Sequence, residues 1–130
     1  MIPYGRQSIS QDDIDAVIRV LKSDYLTQGP VVPLFEEAVA KYVGGKFGIA
    51  VNSATSALHI ACLALGVGKG DIVWTSAITF VASANCALYC GASVDFIDID
   101  PKTYNLSVAR LAEKLNQAEK DGKLPKVVIP

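Results

Sequence analysis

The hydrophobic positions of the first 45 residues repeat with the period of an α-helix. In the first helix the apolar residues recur three or four positions apart, at Ile14, Val17, Ile18 and Leu21. Ser10 can cap this helix, with Asp13 as the acidic partner of a capping box. The second apolar face comprises Phe35, Ala38, Val39 and Tyr42, and glycines 44 and 45 end it. This pattern predicts two N-terminal helices within residues 10–43.

From Phe47 onward, short apolar runs alternate with helical stretches that end at glycine. The predicted strands are Phe47–Val51, Asp71–Thr75, Ser93–Asp98 and Lys126–Ile129. The predicted helices are Ala54–Leu65, Thr79–Tyr89 and Ser107–Lys120. Strands that alternate with helices of about a dozen residues form right-handed βαβ units on a parallel sheet. We therefore predict an α/β fold, with βαβ units over residues 47–130 and a mostly parallel sheet flanked by helices.

Composition narrows the class of protein. The chain has 130 residues, 51% of them hydrophobic, and a mean hydropathy of +0.33, which excludes a disordered chain. A net charge of −1 argues against a nucleic-acid partner. No apolar run approaches the roughly 18–20 residues that span a bilayer, and no signal peptide is visible. Three cysteines, an odd number, fit a reducing compartment, so we expect a cytoplasmic protein without a membrane partner.

The last residues have the composition of a buried strand. Residues 127–130 read Val-Val-Ile-Pro, and in open α/β sheets the ligand-binding loops begin where such strands end. We therefore expect this chain to be the N-terminal portion of a longer protein. A small complete domain of three layers is the alternative.

Candidate chemistry lies first at the junction of the strand ending at Val51 and the next helix. Residues 52–58 read Asn-Ser-Ala-Thr-Ser-Ala-Leu, small and hydroxylated. The first turn of a helix offers unpaired backbone N–H groups and a partial positive charge, which together bind phosphate. Ser53 or Thr55 acting as a plain N-cap explains much of the same sequence. The segment contains no glycine, so it is neither a dinucleotide-binding glycine motif nor a P-loop.

A second strand-to-helix junction contains Phe80. If the two strands are parallel neighbours, both junctions lie at the same sheet edge, and Phe80 could cover a flat ligand whose phosphate sits at residues 54–56. The alternative is a core phenylalanine in the first turn of a helix.

These motifs together resemble one enzyme family. The matching segments are Leu26–Pro30, Phe35-Glu36, Asn52–Leu58, Gly70–Val73, Thr79–Asn85 and Val94–Asp100. In order and spacing they are similar to the sugar aminotransferases of the DegT/DnrJ/EryC1/StrS group. The resemblance covers essentially the whole chain and implies the N-terminal part of a fold-type I large domain that binds pyridoxal 5'-phosphate (PLP).

The resemblance also implies roles for individual residues. The backbone around Ala54, Thr55 and Ser56 would hold the cofactor phosphate, and Phe80 would lie against its pyridine ring. The residues that would line the sugar-nucleotide site are Tyr4, Asp24, Tyr25, Leu26, Thr27 and Ala54. Judged on the residues alone, Tyr4 could equally be a packed surface aromatic, and residues 24–27 a helix-ending turn.

Two groups that PLP chemistry requires have no candidate here: a lysine that forms a Schiff base and a carboxylate that keeps the pyridine nitrogen protonated. None of the nine lysines lies in an active-site motif, and the acids at 95, 98 and 100 are interpreted as structural. By resemblance the catalytic lysine lies beyond Pro130, so we expect these 130 residues to have no transaminase activity alone.

The implied reaction of the full protein is amination of a UDP-linked 4-keto-6-deoxy-N-acetylhexosamine by an amino acid, with glutamate as donor. It would serve nucleotide-sugar, surface polysaccharide or pseudaminic acid biosynthesis, in a homodimer. One alternative is a PLP-dependent sugar dehydratase with histidine in place of the lysine. Another is a non-catalytic phosphate-binding module, and a nicotinamide-binding domain is disfavoured by the missing glycines.

The remaining residues with reactive side chains favour packing roles. His59 is the single histidine of the chain, so it makes neither a triad nor a metal site. Cys86 and Cys90 lie one helical turn apart, but without further ligands they are interpreted as buried small hydrophobes. We expect no metal site.

Overall fold

The computed structural model of the chain describes residues 5–130. They fall into two compact units, one running to Ala50 and one from Val51 to Pro130. The first unit contains the helices α1 (Gln11–Leu21) and α2 (Val31–Val43). The second contains, in chain order, α3 (Ala54–Ala64), β1 (Ile72–Ser76), α4 (Ala82–Tyr89), β2 (Ser93–Ile97), α5 (Val108–Lys120) and β3 (Val127–Ile129).

The start of α1 and the end of α2 agree with the sequence, whereas α1 ends at Leu21, two residues before the expected stop near Ser23 and Asp24. The Ser10 hydroxyl accepts a hydrogen bond from the Asp13 amide at 3.3 Å, and the Asp13 carboxylate accepts one from the Ser10 amide at 2.8 Å. The predicted capping box is therefore confirmed. Gly44 ends α2 in the left-handed conformation, with φ of 70°, which a residue with a Cβ adopts at a cost.

The apolar faces of the first unit are largely exposed to solvent. Within Gln11–Leu21 no residue is buried, and within Val31–Val43 the buried residue is Ala40. The periodicity of the apolar residues is that of amphipathic helices. Because few of these residues are buried, the helix ends are defined by local capping hydrogen bonds rather than by packing in a core.

A parallel sheet of three strands organises the second unit. The order is β2-β1-β3, with Trp74 of the central strand paired to Asp95 on one side and Val128 on the other. Side chains alternate between the two faces of β1. Val73 packs with Cys62 of α3 and Cys86 of α4, whereas Trp74 packs with Ala118 of α5. The predicted α/β fold, a parallel sheet flanked by helices, is confirmed.

The predicted strand Phe47–Val51 is wrong: no strand is formed there. A strand exists through hydrogen bonds to a neighbouring strand, and no described strand pairs with this segment. Its apolar side chains are exposed instead, Phe47 by 88% and Ile49 by 75%. The βαβ region therefore has three strands among the described residues, rather than the four expected.

The helix predicted from Thr79 also needs correction. It begins at Ala82, after a bend, so Phe80 precedes the helix and its side chain is 74% exposed. The interpretation of Phe80 as a core residue in the first turn is therefore wrong. The other elements of the second unit begin and end within one residue of the predicted limits. Among residues 5–130, no helix has the length and apolar character needed to cross a membrane.

Candidate functional site

The N-terminus of α3 lies at the edge of the sheet where ligands bind in α/β folds. α3 packs on the sheet through Leu58 and Cys62, and residues 65–71 lead from its end into the start of β1. Its first turn therefore lies towards the carboxyl end of β1. In open parallel sheets that end is the ligand-binding edge.

Ser53 is the N-cap of α3. Its backbone is extended, and its hydroxyl accepts a hydrogen bond from the Ser56 amide at 3.1 Å. The Ala57 amide donates to the Ser53 carbonyl at 3.0 Å. The N-cap interpretation is thus confirmed for Ser53, and it assigns an acceptor to the Ser56 amide.

Two amides of the first turn, those of Ala54 and Thr55, have no hydrogen-bond acceptor among the described residues. Together with the partial positive charge of the helix end they suit an anion such as phosphate. Of the three residues predicted to hold phosphate, Ala54 and Thr55 therefore offer free amides. Ser56 differs, because its amide is already bonded and only its hydroxyl could reach a ligand.

Asn52 belongs to this cluster, although its role was not predicted. Its side-chain oxygen Oδ1 accepts a hydrogen bond from the Ser56 hydroxyl at 2.7 Å and lies 3.4 Å from the Ser53 hydroxyl. The signal in the sequence is an asparagine four residues before a serine at a helix start. It is weak, because the contact appears only once the helix is formed.

Phe80 lies at the same edge of the sheet, between the end of β1 and the start of α4. Its ring is largely exposed, and Ile78 beside it is also exposed. An exposed aromatic face at the ligand edge can pack against a planar ligand.

Thr75 carries the one buried side-chain polar atom within residues 5–130 that lacks a hydrogen-bond partner. The residue is 0% exposed and sits near the carboxyl end of β1. By strand alternation its side chain faces the layer of α3 and α4, as Val73 does. A buried hydroxyl without a partner costs about 1–3 kcal/mol, and no described residue supplies the missing hydrogen bond.

Three acids, Asp95 within β2 and Asp98 and Asp100 just after it, make structural contacts, as they were interpreted from the sequence. The Asp95 carboxylate accepts from Lys114 at 2.7 Å, and the Lys114 ammonium also donates to the Phe96 carbonyl and lies 4.8 Å from the centre of the Trp74 ring. Burial raises the pKa of Asp95, but the hydrogen bond from Lys114, the one from the Phe96 amide and the Lys114 charge outweigh it and lower the pKa below 3.8.

The other two acids of that segment bond to their own loop. Asp98 accepts from the Ile99 amide at 2.8 Å, and Asp100 accepts from the amides of Lys102 and Thr103 at 2.7 and 3.1 Å. These carboxylates are therefore occupied in shaping the loop before α5.

The predicted substrate residues 24–27 belong to the first unit. They are exposed and form a turn after α1, in which the Ser23 hydroxyl donates to the Val20 carbonyl at 2.8 Å. The turn is tight, because a Cβ on Gly29 would come within 2.9 Å of the Tyr25 Cβ. Tyr4 lies outside the described residues.

Cys86 and His59 pack as predicted, whereas Cys90, predicted to be buried, is only partly buried against the same core. Cys62 and Cys86 are buried in the core beside Val73. Burial raises the pKa of the Cys62 thiol to about 11, helped by a hydrogen bond with Cys86, so the reactive thiolate is disfavoured. His59 packs edge-to-face on Tyr89 at 5.3 Å. Among residues 5–130 no three metal-ligating side chains are grouped to hold an ion.

Comparison with known proteins identifies the family. The model of the DegT/DnrJ/EryC1/StrS aminotransferase family matches residues 7–130. The chain belongs to this family. It is 54% identical over 99 residues to the UDP-4-amino-4,6-dideoxy-N-acetyl-beta-L-altrosamine transaminase of Campylobacter jejuni, a match that covers 76% of this chain and 26% of that enzyme. The family resemblance drawn from the sequence motifs is confirmed.

Solved structures of aminotransferases share the fold. PseC of Helicobacter pylori, an aminotransferase of pseudaminic acid biosynthesis, matches with a TM-score of 0.84 and 32% identity over 97% of this chain and 33% of its own. Spr1654 of Streptococcus pneumoniae, a candidate sugar aminotransferase solved in its PLP form, matches with a TM-score of 0.80 and 30% identity over 86% of this chain and 29% of its own. The chain spans about a quarter to a third of the length of these relatives.

Proposed function

We propose that the whole protein is a PLP-dependent aminotransferase that transfers an amino group to a UDP-linked 4-keto-6-deoxy-N-acetylhexosamine. Glutamate is the proposed donor, and the product would enter nucleotide-sugar, surface polysaccharide or pseudaminic acid biosynthesis. The observation that carries the proposal is the pair of free amides at Ala54 and Thr55, in a chain of the sugar aminotransferase family. The identity to the altrosamine transaminase supports the choice of sugar.

The residues present fit a flat cofactor that carries a phosphate. The Ala54 and Thr55 amides, the positive end of α3 and the hydroxyls of Thr55 and Ser56 would bind the phosphate. The exposed Phe80 ring would cover one face of the pyridine. The partnerless Thr75 hydroxyl behind this edge indicates a polar group of a ligand. When bound, PLP supplies an electron sink for the proton transfer between donor and acceptor carbons.

The roles of this chain's residues in the proposed reaction are to bind and to orient. The α3 end fixes the phosphate by hydrogen bonds to backbone atoms, whose positions the helix sets. Phe80 excludes water from one face of the ring. Ala54, Tyr4 and the turn Asp24, Tyr25, Leu26 and Thr27 would contact the sugar nucleotide.

The groups that move protons would come from outside residues 1–130. We propose that the Schiff-base lysine and the carboxylate facing the pyridine nitrogen both lie there, so that the 130 residues are inactive alone. We further propose that the full protein is a cytoplasmic homodimer. Size measurement of the full-length protein in solution tests the oligomeric state directly.

Incubation of the full-length protein with PLP, the UDP-linked 4-keto sugar and ¹⁵N-labelled glutamate tests the proposed reaction. We expect ¹⁵N in the 4-amino sugar product and 2-oxoglutarate in equal amount. Loss of water from the sugar without nitrogen transfer would indicate the dehydratase instead. Absence of PLP binding would contradict both enzymatic functions.

A further inference from the structure

The side chains of Asn52, Ser53 and Ser56 form a closed cluster of hydrogen bonds at the start of α3. The Ser56 hydroxyl lies 2.7 Å from Asn52 Oδ1 and 3.0 Å from the Ser53 hydroxyl. The Ser53 hydroxyl lies 3.4 Å from the same Asn52 oxygen and accepts the Ser56 amide at 3.1 Å. The two serine hydroxyls therefore both lie within hydrogen-bond distance of the same Asn52 oxygen.

Counting protons fixes the direction of these bonds. The amide oxygen of Asn52 only accepts, so the Ser56 hydroxyl donates its single proton to it. The Ser56 oxygen is then free to accept, so the single Ser53 proton goes either to the Ser56 oxygen at 3.0 Å or to Asn52 Oδ1 at 3.4 Å. Both hydroxyl protons are thus used inside the cluster.

This arrangement matters for a phosphate at the same helix end. A hydroxyl whose proton is already donated presents lone pairs, which phosphate oxygens do not bind. The Ala54 and Thr55 amides remain available without any rearrangement. Ser56 can donate to the phosphate only after its proton leaves Asn52.

Two observations independent of the cluster point to a ligand at this edge. The hydroxyl of Thr75, 0% exposed and without a partner, faces the layer of α3 near the carboxyl end of β1. The fold is also that of Spr1654, solved in its PLP form. Without these two observations, the hydrogen bonds among Asn52, Ser53 and Ser56 would be interpreted as a helix cap alone.

We propose that Asn52 is a positioning residue that competes with the cofactor phosphate for the Ser56 hydroxyl proton. It limits phosphate affinity and leaves the free amides as the principal contacts. The proposal rests on the proposed function, because it assumes that the phosphate of PLP binds at α3.

Replacing the shared acceptor tests the competition. In Asn52→Ala the two hydroxyl protons have one bond between them, so one proton becomes available to the phosphate. A net hydrogen bond of ordinary strength corresponds to about a three- to tenfold lower Kd for PLP. Pyridoxal, which lacks the phosphate, should bind Asn52→Ala and the wild-type protein equally. Kd values come from fluorescence titration of the full-length apoprotein, with Asn105→Ala as the matched asparagine control.

A double-mutant cycle separates this role from a purely structural one. In the wild-type background Ser56→Ala should raise the Kd for PLP less than about threefold, because Ser56 exchanges one acceptor for another. In the Asn52→Ala background the same change should raise it about tenfold. A loss of helix stability would alter PLP and pyridoxal binding together, so the ratio of the two Kd values reports the phosphate contact alone.

The outcomes distinguish the two proposals. Weaker PLP binding by Asn52→Ala, with pyridoxal unchanged, would overturn the competition and make Asn52 a direct phosphate contact. Equal effects of Ser56→Ala in both backgrounds would also overturn it. A wild-type protein that binds pyridoxal as tightly as PLP would instead contradict the phosphate site, and the proposed function with it.

Discussion

Replacing Phe80 with alanine should separate cofactor binding from folding. The side chain is 74% exposed, so its removal should change the free energy of unfolding by less than about 0.5 kcal/mol. Packing of an aromatic side chain on a ring contributes about 0.5–1.5 kcal/mol beyond area burial. Since about 1.4 kcal/mol is a factor of ten, the Kd for PLP should rise about two- to twelvefold.

The assay is fluorescence titration of the full-length apoprotein with PLP, beside thermal unfolding without PLP. Phe80→Trp keeps an aromatic face and should bind PLP as the wild-type protein does. Tyr104→Ala is the matched control, because this aromatic is 72% exposed in the loop before α5. An unchanged Kd for Phe80→Ala, or an equal rise for Tyr104→Ala, would refute the proposed stacking.

Three further substitutions test separate contacts. Thr55→Pro removes a free amide from the first helical turn, where proline is tolerated, so the fold should persist while the Kd for PLP rises about tenfold or more in titration. Thr75→Val removes the partnerless buried hydroxyl and should stabilise the apoprotein by about 1 kcal/mol in urea unfolding; destabilisation would reveal a hidden partner. Lys114→Met should flatten the acid dependence of stability. The pKa of Asp95 is lowered on folding, so its contribution is present above pH 3.8 and is lost as the pH falls below that value.

Local signals in the sequence were sufficient to predict where most of the helices lie. The capping box at Ser10 and Asp13 uses side chains three residues apart, and the N-cap at Ser53 uses the Ser56 amide. Such contacts form within one turn and do not depend on the rest of the chain. This is why the start of α1 and the start of α3 agree with prediction.

Features that depend on residues distant in the sequence could not be predicted from such local patterns. Residues 47–51 have the composition of a strand, yet a strand requires a hydrogen-bonding neighbour, and none pairs with them among residues 5–130. Phe80 has the apolar character of a core residue, but α4 begins two residues later and leaves it exposed. Composition indicates which secondary structure or packing role a segment can adopt. Whether the segment adopts it depends on a neighbouring strand or helix that lies elsewhere in the chain.

In the candidate site, too, some features could be predicted from the local sequence and others could not. The small, hydroxylated start of α3 is visible in the sequence, and it predicts a phosphate-binding helix end at Ala54, Thr55 and Ser56. That the Ser56 amide is already bonded, and that Asn52 accepts the Ser56 hydroxyl, follows only from side-chain geometry. That the Thr75 hydroxyl lacks a partner likewise cannot be inferred from the strand sequence Ile-Val-Trp-Thr-Ser.

The most direct test of the central claim is borohydride reduction of the full-length protein with PLP, followed by peptide mapping. We expect a pyridoxyl group on a lysine outside residues 1–130, and loss of that label when Thr55→Pro weakens phosphate binding. A pyridoxyl group on one of the nine lysines within these residues, or unchanged labelling of Thr55→Pro at limiting PLP, would contradict it.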